Sequence, residues 1–260
     1  MKQYHAPVLS NIQVSERYWH MTVDSSALPF KPDPGQFFHI RCAGTYSPFL
    51  RRPLSIYQIH EHTLEFLYVV KGKGTTAMTR IRKGDTLDMM GPVGKGFELY
   101  KQAETVLLIA RGVGIATLAA VAQAAFQQKA HCVAVLSART EEDLLAAEYL
   151  EEFGATVYKV TDEGGTSDVS HVKQLIQEDI LPFYKIDSLY TCGSRRLSKL
   201  AQSIAFDHQI PGEIALEEHM GCAMGACFAC VCDIQEGREK KSVRVCMEGP
   251  VFPLEKVVME

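Results

Sequence analysis

Two rhythms of hydrophobic and polar residues divide the chain. From residue 1 to about 101, apolar positions alternate with polar ones or come as short β-branched and aromatic runs: VLSNIQVSERYWHMTVD, GQFFHIRC, RRPLSIYQIH, TLEFLYVV and GDTLDMMGPV. Gly, Pro and Asp punctuate these runs, as they do between strands. Short strands at this spacing predict an antiparallel β-barrel.

From about residue 102 the rhythm changes. TVLLIA is the continuous apolar run of a buried parallel strand. A glycine-containing turn follows it, then the helical stretch IATLAAVAQAAFQQK. HCVAVLSA predicts a second buried strand, and EEDLLAAEYLEEF a helix whose acidic start suits the helix dipole. ATVYKVTD, SHVKQLIQEDIL, SLYTCGS and RRLSKLAQSIAF continue the alternation. Strand–helix alternation predicts a parallel sheet covered on both faces, with ligands at the carboxyl ends of its strands. After Pro211, IALEEHM predicts a strand that leads into a cysteine-rich loop, and SVRVCMEGPVF brings in one more cysteine. The fold class is therefore α+β and multidomain: a β-barrel over 1–101, an α/β domain over 102–211 and a small C-terminal module over 212–260.

Composition narrows the function. The chain has 260 residues, 47% of them hydrophobic, enough for two ordinary cores plus a small module. A net charge of −4 gives no reason to expect nucleic acid as a partner. No apolar run approaches the ~18 residues that a membrane span needs. Cysteines with no signal-like segment behind Lys2 point to a reducing cytoplasm.

The cysteines carry the chemistry. Cys222, Cys227, Cys230 and Cys246 read C-x4-C-x2-C-x15-C. The first three have the spacing that holds a plant-type [2Fe–2S] cluster, with a fourth thiolate arriving from another segment. Zinc, the competing metal, usually takes two C-x2-C or C-x2-C/H-x3-H pairs, and here a single C-x2-C pair is present. Gly221 and Gly225 permit the backbone turns of a wrapped loop. Cys232 is expected as a small core side chain, and Cys42, Cys132 and Cys192 as buried thiols.

Three stretches of the barrel look chemical. RRPLS (51–55) offers an arginine fork for a phosphate and a hydroxyl for a flat ring. KGKGT (71–75) offers backbone N–H groups around an anion, and GPVGKGF (91–97) is a glycine-rich closing turn. In the α/β part, RGVGIAT (111–117) opens a helix where a pyrophosphate can sit. It lacks the G-x-G-x-x-G fingerprint, so a plain strand–helix turn is the competing reading. TCGS (191–194) ends a later strand at the same edge, where Cys192 and Gly193 could line a nicotinamide pocket. Each signal is weak alone, and their order carries the weight.

Taken together, RRPLS, GVGIA and CGS resemble motifs of the ferredoxin-reductase superfamily. Within it, MGCAMGACFACVC, VCMEGPVF, PFLRRPLSI and GPVGKGF are similar to the electron-transfer subunits of class 1B dihydroorotate dehydrogenases. The resemblance implies FAD in the barrel, held by Arg52, Pro53, Leu54, Ser55, Tyr68, Val69, Val70, Gly74 and Thr75. It implies NAD at Gly112, Gly114, Cys192 and Gly193, and a [2Fe–2S] cluster on Cys222, Cys227, Cys230 and Cys246. It also implies an FMN-containing catalytic partner, in a heterotetramer of two catalytic and two electron-transfer chains. In that family electrons from dihydroorotate pass through the cluster and FAD to NAD+, and orotate feeds pyrimidine synthesis. The sequence departs from the family at Arg111, Thr117 and Ser194, around the nicotinamide site, and at Val69, where the family tends to carry arginine. Two alternatives stand beside this reading: a FAD/[2Fe–2S] reductase of another oxidoreductase, and a redox-sensing module without NAD turnover.

Overall fold

The computed structural model describes residues 2–44, 47–100 and 102–259. The first hundred residues form strands β1 (Lys2–Gln13), β2 (Tyr18–Asp24), β3 (Phe37–Ile40), β4 (Arg52–Ser55), β5 (Gln58–Ile59), β6 (Thr63–Val69) and β7 (Thr86–Val93), with a short helix α1 (Lys73–Met78) before β7. Their order in one antiparallel sheet is β4-β3-β7-β1-β2-β6-β5. Only Ile56 and Tyr57 separate the two edge strands β4 and β5, so the sheet must curl until its edges meet. The alternation seen in the sequence fills the inside: Met21, Phe38, Ile40, Leu64, Phe66, Leu87 and Met89 are buried together.

The second sheet is built from β8 (Thr105–Arg111), β9 (His131–Ala138), β10 (Thr156–Thr161), β11 (Ser188–Cys192) and β12 (Gly212–Ala215), in the order β10-β9-β8-β11-β12. These strands are parallel. Between them run α2 (Ile115–Gln127), α3 (Ala147–Glu152), α4 (Val169–Leu175) and α5 (Arg195–Asp207). Successive residues of β8 face opposite sides. Val106, Leu108 and Ala110 pack with α2 and α3, while Leu107 and Ile109 pack with α4 and α5. Two stretches differ from the expected helices. EEDLLAAEYLEEF breaks into a turn at Glu141–Asp143 and the short α3, because the chain passes through a left-handed Ala146 (φ 64°) before Ala147 and Leu150 enter the core. The helix over 170–181 loosens into a wider turn at Ile176–Ile180.

The last segment is continuous with this sheet. β12 lies parallel to β11, and the final strand β15 (Val251–Pro253) pairs antiparallel with β12. Between them projects a hairpin of β13 (Val231–Glu236) and β14 (Glu239–Arg244). The expected strand IALEEHM ends at Ala215, where the chain turns away and Leu216 N donates to the carbonyl of Pro250 at 2.9 Å.

Barrel and sheet share a core. Tyr57, Leu67 and Phe97 of the barrel pack with α2 and Tyr190. The Phe97 and Tyr190 rings meet edge to face at 5.5 Å, and Tyr190 O–H donates to the Glu98 carbonyl at 2.9 Å. The buried amide of Ile59 donates to Gln123 Oε1 on α2 at 3.0 Å. Gln123→Ala leaves that amide without a partner, and such a loss costs about 1–3 kcal/mol. The expected fall in stability is read by chemical denaturation of the purified chain.

Candidate functional site

A cleft of about 510 Å³ opens where barrel and sheet meet. The barrel lines it with Arg52, Pro53, Leu54 and Ser55 of β4, with Leu67, Tyr68 and Val69 of β6, and with Lys71, Gly72, Gly74 and Thr75 around the start of α1. The sheet contributes Val113, Ala116, Thr117 and Cys192, and the chain after β12 contributes Leu216, Glu217, Glu218, His219 and Met220. Of the barrel residues expected at a ligand, Val70 is not part of this lining.

The two neighbouring arginines do different work. Arg51 forks onto Asp88, Nη1 to Oδ1 and Nη2 to Oδ2 both at 2.8 Å, and braces the barrel. Arg52 faces the cleft and donates to the Leu50 carbonyl at 2.8 Å. Its guanidinium lies across Gly74, where an added Cβ would stand 2.6 Å from Nε, so a side chain there would displace Arg52. KGKGT differs from the expected open nest. Lys71 N and Gly72 N both donate to Thr75 Oγ1, at 3.0 and 3.3 Å, so the hydroxyl closes the turn and starts α1. A fixed cation over this turn still makes an anion-binding wall.

Opposite this wall, the turns that leave two neighbouring parallel strands, β8 and β11, come into close contact. A Cβ on Gly114 would sit 2.5 Å from the Cys192 carbonyl, and one on Gly193 (φ +114°) 2.5 Å from the Arg111 carbonyl. This is also where the strand order reverses, since the chain leaves β8 for β9 on one side and β11 for β12 on the other. Such reversal points form ligand crevices. Gly112 (φ +55°) starts the turn, and Thr117 is buried in the cleft wall. Gly193 instead lines a smaller pocket of about 300 Å³, with Arg195, Ser198, Glu218, Cys232 and Asp233. Arg111 is held at two points: Nη1 donates to Ser137 Oγ at 2.6 Å and Nη2 to Asp162 Oδ2 at 2.5 Å.

Glu217 is the residue that sequence reasoning missed. Burial pushes its carboxyl above the usual range, while Lys71 pulls it the other way. The Cys192 thiol points at Glu217 Oε1 at 4.0 Å, and burial, then Glu217, raise its pKa as well. The signal was a pair of acids directly after an apolar strand, in a segment expected to be strand throughout.

The loop that carries Cys222, Cys227 and Cys230 begins beyond Met220. Cys222 Sγ accepts from Met224 N and Cys227 N, both at 3.4 Å. The loop turns through left-handed Ala223, Gly225 and Phe228. Val245 N donates to the Cys230 carbonyl at 2.8 Å, which brings Cys246 back to the loop, and Cys230 and Cys246 are buried. Arg244 bridges Gly225, whose carbonyl its Nη1 reaches at 3.0 Å, to Glu248, whose Oε1 its Nη2 reaches at 2.6 Å. Among the described residues no three His, Cys, Asp or Glu side chains converge as for a single metal ion. A donor set of sulfur alone, with amides turned on it, fits an iron–sulfur cluster. Cys232 is half-buried on β13, while Cys42, Cys132 and Cys192 are buried.

Comparison with known proteins agrees with this geometry. Residues 217–258 match the iron–sulfur cluster binding domain of dihydroorotate dehydrogenase B, and residues 108–203 an oxidoreductase NAD-binding domain. The chain is 34% identical to the dihydroorotate dehydrogenase B (NAD(+)) electron transfer subunit of Desulforamulus reducens, covering 100% of this chain and 99% of that protein. It is 35% identical to the same subunit of Geobacillus thermodenitrificans, with 97% of each covered. Its fold is similar to an NADH-dependent reduced ferredoxin-NADP oxidoreductase (TM-score 0.81, 24% identity, 98% of this chain and 90% of that one). It is also similar to ferredoxin-NADP+ reductase from Plasmodium falciparum (TM-score 0.65, 16% identity, 82% and 96%).

The amides on Cys222, Met224 first, lower its thiol pKa to about 7, whereas burial and then Cys230 push Cys246 up to about 12. The thiolate forms above the pKa and is the reactive species. In metal-free protein, alkylation of Cys222 is expected to rise through neutral pH while Cys246 stays unmodified. Mass spectrometry of protein pulsed with iodoacetamide across pH checks this.

Proposed function

This chain belongs to the family of dihydroorotate dehydrogenase B (NAD(+)) electron transfer subunits, and from that premise we propose that it carries electrons from an FMN-containing dihydroorotate dehydrogenase chain, by way of a [2Fe–2S] cluster and FAD, to NAD+. When bound, a flavin couples the two-electron chemistry of a nicotinamide to the one-electron chemistry of a cluster. The observation that carries the reading is one of continuity. The segment Leu216–Met220 lines the cleft, and Cys222 follows Met220 by two residues. Two residues span at most about 7 Å of chain, so a group in the cleft and a group on the thiols are neighbours.

In this reading Arg52, over Gly74 and Thr75, takes the flavin phosphates, and Pro53, Leu54, Ser55, Tyr68 and Val69 hold its ring, while Val70 lies outside the cleft lining. The turn Gly112–Gly114 and the pair Cys192–Gly193 receive the nicotinamide nucleotide. Cys222, Cys227, Cys230 and Cys246 hold the cluster. The chain then divides by work into a flavin part (1–101), a nicotinamide part (102–211) and a cluster part (212–260).

Cys227 is exposed, and around it Met224, Phe228 and Met247 are 51%, 63% and 43% exposed. Apolar side chains left open beside a redox group suit docking of the catalytic chain. Two copies of each chain make the complete enzyme, which works in the cytoplasm on the route to pyrimidine nucleotides. Among the described residues no helix is long and apolar enough to cross a membrane.

Reconstitution with an FMN-containing dihydroorotate dehydrogenase chain tests the reading. With Cys227→Ala, dihydroorotate oxidation by an artificial acceptor survives while NAD+ reduction falls to background. Equal activity of the variant and the parent with NAD+ would contradict it. A second outcome concerns the flavin. Gly74→Ala pushes Arg52 off its seat, and a lost charge-assisted contact worth about 1.4 kcal/mol weakens binding roughly tenfold. Fluorescence of released FAD on dilution measures this.

A further inference from the structure

The hairpin that follows the thiol loop returns one cation to it. Arg244 ends β14, opposite Val231, and stands two residues before Cys246. Its Nη1 donates to the Gly225 carbonyl at 3.0 Å, in the loop between Cys222 and Cys227. Its Cζ lies 5.3 Å from the centre of the Phe228 ring, between Cys227 and Cys230, within the range of a cation–π contact. Glu248 holds the other side of the guanidinium. Its Oε1 accepts from Nη2 at 2.6 Å, and its Oε2 from Nε at 3.2 Å and from Arg244 N at 2.7 Å. Met247 N and Glu248 N both donate back to the Arg244 carbonyl, at 3.0 and 2.9 Å, so the segment around Cys246 closes on the arginine. One guanidinium thus meets the loop on both sides of Cys227, and its own segment carries the fourth thiol.

A group held on four thiolates becomes one charge more negative when it gains an electron. A fixed cation close by stabilises that charge, and N–H groups turned onto the sulfurs do the same, so both raise the reduction potential. Arg244 serves both. Nη1 faces the loop while Nη2 and Nε face Glu248, so the cation, and not its carboxylate partner, is presented to the loop. Cys246 and Cys230 act on Arg244 through space, in keeping with that orientation. Gly225 lies between the two amides, Met224 N and Cys227 N, that are turned onto Cys222 Sγ at 3.4 Å. Holding the Gly225 carbonyl fixes the peptides that carry them. Resting on the cluster reading of these thiols, we infer that Arg244 is the positioning residue of the cluster site: it pins the loop at Gly225 and its charge raises the reduction potential of the cluster. The electron that arrives from the catalytic chain is then held more readily before it passes to the flavin. Glu248 keeps the guanidinium in place and moderates its charge.

The test is a redox titration of the holoprotein, with the reduced cluster followed by electron paramagnetic resonance and the flavin by absorption. Arg244→Gln is expected to shift the one-electron equilibrium of the cluster about tenfold toward the oxidised form, a fall of about 59 mV in its midpoint. The flavin midpoint is expected to stay where it is in wild type. Arg244→Lys keeps the charge without the fork and is expected to recover more than half of that shift. If Arg244→Gln does not assemble the cluster, Glu248→Gln takes its place. That variant keeps an oxygen for the guanidinium but removes the opposing charge, and its cluster midpoint is expected to rise. A cluster midpoint unchanged in Arg244→Gln, a fall in Arg244→Lys as large as in Arg244→Gln, or no rise in Glu248→Gln would overturn the inference while leaving the cluster standing. Absence of any reduced-cluster signal in wild type would overturn the cluster reading itself and the inference with it.

Discussion

The close approach of the turns that leave two neighbouring strands governs the architecture. The backbones of β8 and β11 approach so closely that neither Gly114 nor Gly193 has room for a Cβ. From there α2 packs on one face of the sheet and α5 on the other. With α2 on the barrel side, Gln123 can reach Ile59 and Tyr57 and Leu67 can join the α2 core. The cleft between barrel and sheet follows from that docking. Its sheet-side wall is formed by residues at or just past the ends of β8, β11 and β12, and its barrel wall includes the strip from Arg52 to Ser55.

Charge and burial then give the parts of the cleft different chemistry. Arg52 lies over the turn that starts α1 and offers an accessible cation. Arg51, one residue away, is neutralised by Asp88 and serves the barrel alone. Arg111 is neutralised in the same way by Asp162 at the opposite end of the site. Glu217 stands between cleft and thiols, buried enough to hold its proton more tightly than an ordinary glutamate. The loop beyond it reverses the trend: amides point at Cys222, and the loop surface carries exposed apolar side chains.

Much of this was legible in the sequence, because it rests on periodicity and on spacing. Alternating apolar residues predicted the barrel strands, and continuous apolar runs predicted the parallel ones. The C-x4-C-x2-C spacing marked the thiol loop without any help from tertiary structure. What stayed hidden depended on contacts between distant segments. The break at Ala146 follows from where Ala147 and Leu150 must pack. The closing of KGKGT by Thr75 depends on hydroxyl geometry that a nest-like pattern does not reveal. The Arg111–Asp162 pair joins residues 51 positions apart, so a lone arginine in a glycine turn read as a departure rather than half of an ion pair. The place of Glu217 in the cleft became visible once β12 was seen to end at Ala215.

The central claim is that one chain joins a nicotinamide site, a flavin cleft and a thiol-bound cluster into a single conduit. Anaerobic titration of the purified holoprotein with NADH, followed by visible absorption, tests it most directly. The account predicts that the flavin and cluster bands bleach together, with no other protein present. Flavin and cluster bands that NADH leaves unchanged would contradict it.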